Sequence, residues 1–132
     1  MTYCAGVLVK EGLVIVADPR TNAGLDNIST FRKLHVVDQH PDRYLVLASS
    51  GNLSVTQSVL GYLAEGIENH QTGEIETMAT APTMFRAAQL IGNAVRKVRD
   101  IDSDALAAAD VRFEVSFLFG GQIKNGPMRL FM

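Results

Sequence analysis

The chain has 132 residues and a formal net charge of −2, and 47% of its residues are hydrophobic. This length fits one domain at most, and the apolar fraction excludes an intrinsically disordered chain. The small net charge gives no electrostatic reason to expect a nucleic acid or an anionic membrane as partner.

The features that mark secreted or membrane proteins are not found in the sequence. Its one cysteine cannot form an internal disulfide. No apolar run approaches the roughly 20 residues that span a bilayer, and the N-terminus lacks the basic and apolar segments of a secretory signal. We therefore expect a cytoplasmic protein.

The first third of the chain predicts four strands. Residues 2–9 and 13–18 are short apolar runs, and the glycine between them predicts a β-hairpin. The polar, glycine-containing segment 19–33 predicts a loop. Residues 34–38 and 43–49 predict a second pair of strands, joined by a proline-aspartate turn.

The middle of the chain predicts two helices. Asn52 suits an N-cap, and apolar residues recur at helical spacing through residues 53–70. A second helix begins near Pro82, where proline suits the first turn, and its apolar stripe ends at about Arg99. Residues 100–110 predict a polar connection with a short Ala-rich turn.

Two further strands are predicted at residues 112–120 and 127–132, with a hairpin signal at Asn125-Gly126. The order of four strands, two helices and two strands predicts a layered α+β domain, because a doubly wound sheet would alternate strands and helices. The last strand is strongly apolar. An uncovered sheet edge of this kind predicts self-association.

Thr2 is a candidate nucleophile. Removal of Met1 would give Thr2 a free α-amine, whose pKa near 8 leaves a useful neutral fraction at physiological pH. The neutral amine can accept the hydroxyl proton, directly or through water, so no histidine is needed. The alternative is that a second-position threonine has no function, which is common.

Asp18 and Lys33 strengthen that hypothesis. The hairpin turn near residues 10–12 predicts that Asp18, at the far end of the second strand, lies beside Thr2. A lysine near the amine would lower the amine pKa by charge repulsion, and Asp18 would keep the lysine charged. Each residue considered by itself has a simpler interpretation: Asp18 as a turn residue and Lys33 as a solvated surface lysine.

Two stretches resemble a known family. "VIVADPRTNAG" at residues 14–24 is similar to the proteasome β-subunit signature, and "TNAGLDNISTFRKLH" at residues 21–35 most resembles the bacterial ancestral-β-subunit (Anbu) branch. These proteins are N-terminal nucleophile hydrolases. The resemblance runs through "SSG" at 49–51 to "SFLFGG" at 116–121. It implies an αββα sandwich of antiparallel sheets, of which this chain is the N-terminal part, incomplete at the C-terminus.

The resemblance also implies roles for individual residues. Thr2 is the nucleophile, and Asp18 and Lys33 tune it. Gly51 donates its backbone N–H to the oxyanion at the start of a helix. Ser116 falls on the strand that carries an active-site serine in the family. Without the resemblance, Gly51 fits a strand-to-helix turn and Ser116 an ordinary strand residue.

The implied substrate is an extended peptide or an unfolded protein. Thr21 and Asn22 would present backbone groups to it, so that the peptide pairs as an added strand. The implied partner is a second copy of the chain, within a multi-subunit ring or spiral. No cofactor is expected, and His35, His40 and His70 share no metal-ligand spacing.

We therefore expect a proteasome-type threonine peptidase subunit, active after Met1 is removed. Two alternatives stay open: a catalytically silent assembly subunit or fragment, and a small-amide hydrolase on the same fold. Pro19 stands where the family usually has serine, and Lys33 is one residue closer to the N-terminus than in core proteasome subunits. If Met1 is retained, the amine is not on Thr2, which favours the silent subunit.

Overall fold

The computed structural model describes residues 3–18, 20–22, 28–30, 32–110 and 113–132. Thr2 and Pro19 therefore lie outside the described residues. Within these ranges the elements, in chain order, are β1 (Cys4–Val9), β2 (Gly12–Ala17), β3 (Arg20–Asn22), β4 (Ile28–Thr30), β5 (Leu34–His40), β6 (Arg43–Gly51), α1 (Leu53–Glu65), β7 (Ile67–Glu68), β8 (Ile75–Glu76), α2 (Met84–Ala108), β9 (Val115–Ile123) and β10 (Arg129–Phe131).

The centre of the fold is an antiparallel four-stranded sheet in the order β10-β9-β6-β5. Successive side chains of a strand point to opposite faces, so one face carries Leu45, Leu47 and Phe119. This face packs against the two helices. Each helix has apolar residues at spacings of three and four, and these form one buried side. The shared core is formed by Leu45, Leu47, Val55, Val59, Leu63, Met84, Ala87, Leu90, Ile91, Ala94, Val98, Phe119 and Ile123.

The β1–β2 hairpin covers the opposite face of the sheet. Its register runs from Cys4 opposite Ala17 to Val9 opposite Gly12. Gly120 of β9 leaves room for the hairpin, because a Cβ at that position would lie 2.5 Å from Leu13 Cδ2. The layers are therefore helices, sheet and hairpin, and the predicted α+β class with antiparallel sheets is confirmed.

Helix α1 begins as predicted and ends earlier. Asn52 caps it, accepting a hydrogen bond at Oδ1 from the Ser54 N–H at 2.9 Å. The predicted continuation to residue 70 is wrong, because Gly66 adopts a φ of +96° and its N–H donates to the Tyr62 carbonyl. The two-residue strands β7 and β8 form the next ladder.

Helix α2 is longer than predicted. It begins after Thr83, whose hydroxyl accepts from the Arg86 N–H, and continues for 25 residues to Ala108. The prediction of a connection over residues 100–110 is wrong, since most of that segment is helical. Alanine has a high helix propensity, and Leu106 still packs against the core. The aspartates of this segment suggested a polar linker, but aspartates are equally compatible with the solvent-facing side of a helix.

The segment predicted as a loop after β2 contains a short ladder. Strand β3 pairs with β4 in a register from Arg20 opposite Thr30 to Asn22 opposite Ile28. Thr21 and Asn22 therefore lie on a strand, which corrects the loop prediction for these two residues. A three-residue strand has too little hydrophobic pattern to be distinguished from a polar loop.

Arg43 ties the sheet to the segment before α2. Its side chain is buried, and Nη1 donates to the carbonyls of Met78 at 2.7 Å and Ala81 at 2.9 Å.

We expect Arg43→Met to lower the free energy of unfolding by about 2–4 kcal/mol, because two buried carbonyls lose their donor. Urea unfolding measures this. Arg96→Met, at an exposed arginine of α2, should stay within about 0.5 kcal/mol of the unsubstituted protein. Equal losses of stability in the two variants would show that the hydrogen bonds from Arg43 do not stabilise the fold.

Candidate active site

The open end of the β1–β2 hairpin holds Asp18. The Asp18 N–H donates to the Tyr3 carbonyl at 2.7 Å, which extends the antiparallel register by one pair beyond Cys4 and Ala17. Asp18 is thus opposite Tyr3, the chain neighbour of Thr2. The predicted position of Thr2 itself lies outside the described residues.

Lys33 is held against the end of β6. The Ser49 N–H donates to the Lys33 carbonyl at 2.9 Å, and the Ser49 hydroxyl lies 3.4 Å from the same oxygen. Lys33 is only 7% exposed. A buried ammonium is costly without a compensating partner, and Lys33 and Asp18 are each engaged in interactions. Lys33 is therefore a buried residue, so its alternative interpretation as a solvated surface lysine is wrong.

Cys4 links the hairpin to this cluster. Its thiol lies 3.6 Å from the Ser49 carbonyl oxygen, which accepts from it. Partial burial raises the pKa of the Cys4 thiol, while the Lys33 charge lowers this pKa and the Asp18 charge raises it. Both charges therefore lie close enough to act on Cys4. The residues brought together here are Cys4, Asp18, Lys33 and Ser49. No pattern in the sequence indicates the contact between Cys4 and Ser49, which are 45 residues apart.

Gly51 ends β6 with a φ of +105°. A Cβ there would lie 2.4 Å from the Glu114 carbonyl oxygen, so the strand-to-helix turn requires glycine. The same carbonyl accepts from the Asn52 N–H at 2.8 Å. The turn interpretation of Gly51 is thus confirmed, and its role as an oxyanion donor stays a prediction.

Ser116 lies at the same end of the sheet as Gly51. The register pairs Ser116 with Ser50 and Val115 with Gly51. Residues of opposite parity to Leu45 and Leu47 face away from the helices, so Ser50 and Ser116 are on the hairpin side. Sequence analysis singled out Ser116 and missed Ser50, since only the register between β6 and β9 makes them neighbours.

Among the residues that the structure describes, no group of three or more histidine, cysteine, aspartate or glutamate side chains could hold a metal ion. Within the same residues, neither helix is both long and apolar enough to cross a membrane.

No protein-family model matches the sequence, and no curated protein matches it. Solved structures do. Anbu from Hyphomicrobium sp. strain MC1 is 40% identical with a TM-score of 0.79, over 99% of this chain and 51% of that chain. Anbu from Yersinia bercovieri is 39% identical with a TM-score of 0.78, over 99% and 51%. The chain belongs to the Anbu family.

A third Anbu structure is a helical assembly, the Anbu complex from Pseudomonas aeruginosa. Its chain is 35% identical to the present one with a TM-score of 0.80, and the match covers 98% of this chain and 52% of that chain. The present Anbu chain thus spans about half the length of these relatives. The resemblance identified from residues 14–35 is confirmed, together with the Anbu proteasome-like fold.

Two predicted substrate residues of this Anbu chain lie on β3. Thr21 pairs with Ser29, and Asn22 pairs with Ile28. Strand β3 pairs on one side with β4 in a two-stranded sheet. An extended peptide would have to add on its other side, which is the geometry of strand addition. Peptide binding by Thr21 and Asn22 stays a prediction.

Proposed function

We propose that Thr2, after removal of Met1, is the nucleophile of a proteasome-type threonine peptidase to which this chain contributes a single proteasome-β-like domain, its N-terminal part. The observation that carries the proposal is the cluster at the open end of the hairpin. Asp18 pairs with Tyr3, the chain neighbour of Thr2, and Ser49 contacts both Lys33 and Cys4. Membership of the Anbu family supports it.

The first half of the reaction forms an ester. The Thr2 hydroxyl oxygen attacks the carbonyl carbon of the substrate, and its proton moves to the α-amine, directly or through a water molecule. The tetrahedral intermediate collapses as the C–N bond breaks. The same proton then passes to the departing amine. The product is an acyl-enzyme in which the peptide is esterified to Thr2.

The second half regenerates the enzyme. Water attacks the ester carbonyl while the α-amine accepts a proton from it. The C–O bond to Thr2 then breaks, and the hydroxyl oxygen recovers the proton. The carboxylic acid product leaves. One peptide bond and one water molecule are consumed, and the chain returns to its starting state without an external oxidant, reductant or metal.

The neighbouring residues take supporting roles in this scheme. The Lys33 ammonium lowers the pKa of the α-amine by charge repulsion, so that more of the amine is neutral, and Asp18 keeps Lys33 charged. The Gly51 N–H stabilises the oxyanion of the tetrahedral intermediate. Ser116, on the hairpin side of the same sheet end, supports the environment of the nucleophile.

The proposed substrate is an extended segment of a peptide or an unfolded protein. Its backbone would pair with the edge of β3 that faces away from β4, at Thr21 and Asn22. We further propose self-association into a ring or spiral in the cytoplasm, with no nucleic-acid or membrane partner. The helical assembly of the Pseudomonas aeruginosa relative supports self-association.

A covalent peptide probe tests the proposal. The purified protein is incubated with a peptide vinyl sulfone, and intact mass and peptide mapping locate the adduct. We expect loss of Met1 and a single adduct on Thr2, together with cleavage of a mixture of fluorogenic peptides. An adduct with turnover of small amides only would support the amidase instead. Free Thr2 with neither adduct nor turnover would indicate a silent assembly subunit.

A further inference from the structure

A groove lies at the far end of the sheet from the candidate active site, between the start of α2 and the β9–β10 hairpin. Its volume is about 640 Å³. We call it the β9–β10 groove. The residues that matter to the argument are Phe85, Ile123, Lys124, Arg129 and Phe131. Its apolar wall comes from Phe85, Ile123 and Phe131, and the two cationic side chains are exposed.

The chemistry of this groove favours an apolar side chain accompanied by negative charge. Phe85 is 62% exposed, which is high for a phenylalanine at the edge of a core. No acidic residue lines the groove. In the described part of the chain, no carboxylate lies within ion-pairing distance of Lys124 or Arg129.

The complementary feature lies on the last turns of α2. Ile101 is 59% exposed, and Asp100 and Asp104 beside it are exposed too. Asp104 is four residues from Asp100 and three from Ile101, so the three side chains lie within an arc of about 100° around the helix axis. No basic residue lies in the last turn of α2. Asp104, one turn before the end of α2, therefore lies near the negative end of the helix dipole.

We infer that the β9–β10 groove receives Ile101 from a second copy of this chain, with Asp100 and Asp104 of that copy facing Lys124 and Arg129. An exposed isoleucine flanked by two carboxylates complements an apolar groove rimmed by two cations, in polarity and in charge. The inference rests on the proposed self-association, and it names the surface that would carry it.

The geometry of the contact determines the symmetry of the assembly. Phe85 and Ile101 are 16 residues apart on one helix, or about 24 Å. One chain therefore carries the groove and its complement at opposite ends of α2. A contact between two different surfaces repeats head to tail, and it forms a ring when the rotation closes and a helix when it does not. The helical assembly of the Pseudomonas aeruginosa relative is consistent with such a contact.

Sedimentation velocity at several protein concentrations tests the contact. We expect Ile101→Glu to raise the dissociation constant of the assembly at least tenfold and to shift the protein toward smaller species. The control is Ile75→Glu, which places the same charge on an equally exposed isoleucine of β8 and should leave the assembly unchanged. Assembly of Ile101→Glu at the unsubstituted affinity would overturn the inference.

A charge exchange makes the test independent of the folding of any one variant. Lys124→Glu with Arg129→Glu should weaken assembly, and so should Asp100→Lys with Asp104→Lys. Combining the four substitutions should restore it, because the opposite charges again face each other. Failure of the combination to assemble better than either pair would overturn the inference. If the unsubstituted protein is monomeric at every concentration, the proposed self-association fails as well, whereas peptide cleavage is measured separately and can persist.

Discussion

Thr2→Ala should abolish peptide cleavage, with kcat falling at least about 10³-fold. The substitution removes the oxygen that forms the ester, and removing a catalytic nucleophile from a hydrolase typically costs several orders of magnitude in kcat. Circular dichroism establishes that the variant is folded. Initial rates on a fluorogenic peptide measure the effect, after mass spectrometry has established that Met1 is removed in both proteins.

Thr2→Ser is the matched control for this substitution. Serine keeps both the hydroxyl and the α-amine, so we expect activity within about tenfold of the unsubstituted protein. A Thr2→Ala protein that keeps more than a tenth of the activity would refute Thr2 as nucleophile. If Thr2→Ser is as inactive as Thr2→Ala although Met1 is removed, the missing methyl group, and with it the orientation of the hydroxyl, decides activity.

Gly121→Ala should prevent the sheet from forming. Gly121 lies in β9 opposite Leu45 of the central strand β6, with a φ of +151°. A Cβ would lie 2.0 Å from the Tyr44 carbonyl oxygen and 3.1 Å from Leu45 Cα. Both are backbone atoms, so the clash can be relieved only by separating the strands. We expect a loss of more than about 4 kcal/mol in the free energy of unfolding, or no folded protein.

Gly61→Ala provides the control for this prediction in the same protein. Gly61 lies in α1, and no atom lies within 4 Å of a Cβ built there. Because alanine has the higher helix propensity, Gly61→Ala should raise the free energy of unfolding by up to about 1 kcal/mol. Urea unfolding followed by circular dichroism compares the two. Similar stabilities for Gly61→Ala and Gly121→Ala would show that the strands tolerate the added carbon.

The sequence predicted the parts of the site that depend on local pattern. Apolar runs on both sides of a glycine predicted the β1–β2 hairpin, and the length of the hairpin alone placed Asp18 near the N-terminus. The "TNAGLDNISTFRKLH" stretch identified Lys33 within the family resemblance. Asp18 could be placed opposite Tyr3 because a hairpin fixes which residues face each other over a short distance along the chain, whereas the catalytic roles of Thr2, Asp18 and Lys33 stay predictions.

Other features depend on contacts between distant segments and could not be predicted. Nothing near Cys4 in the sequence indicates Ser49, and nothing near Ser116 indicates Ser50. The length of helix α2 was underestimated for a different reason. Its apolar stripe thins after Val98, and the following aspartates resemble a linker, but a single packed residue, Leu106, is compatible with a helix that continues past the core.

The pairing of β6 with β9 means that the site is vulnerable to changes far from it. Gly121 opposite Leu45 and Ser116 opposite Ser50 belong to one continuous ladder. A slip of one residue in β9 relative to β6 would turn Ser116 toward the helices and break its pairing with Ser50. Leu45 is six residues from Gly51, or about 20 Å along the strand. A change at the distant end of this ladder can therefore displace a serine at the candidate site as well as lower the stability of the sheet.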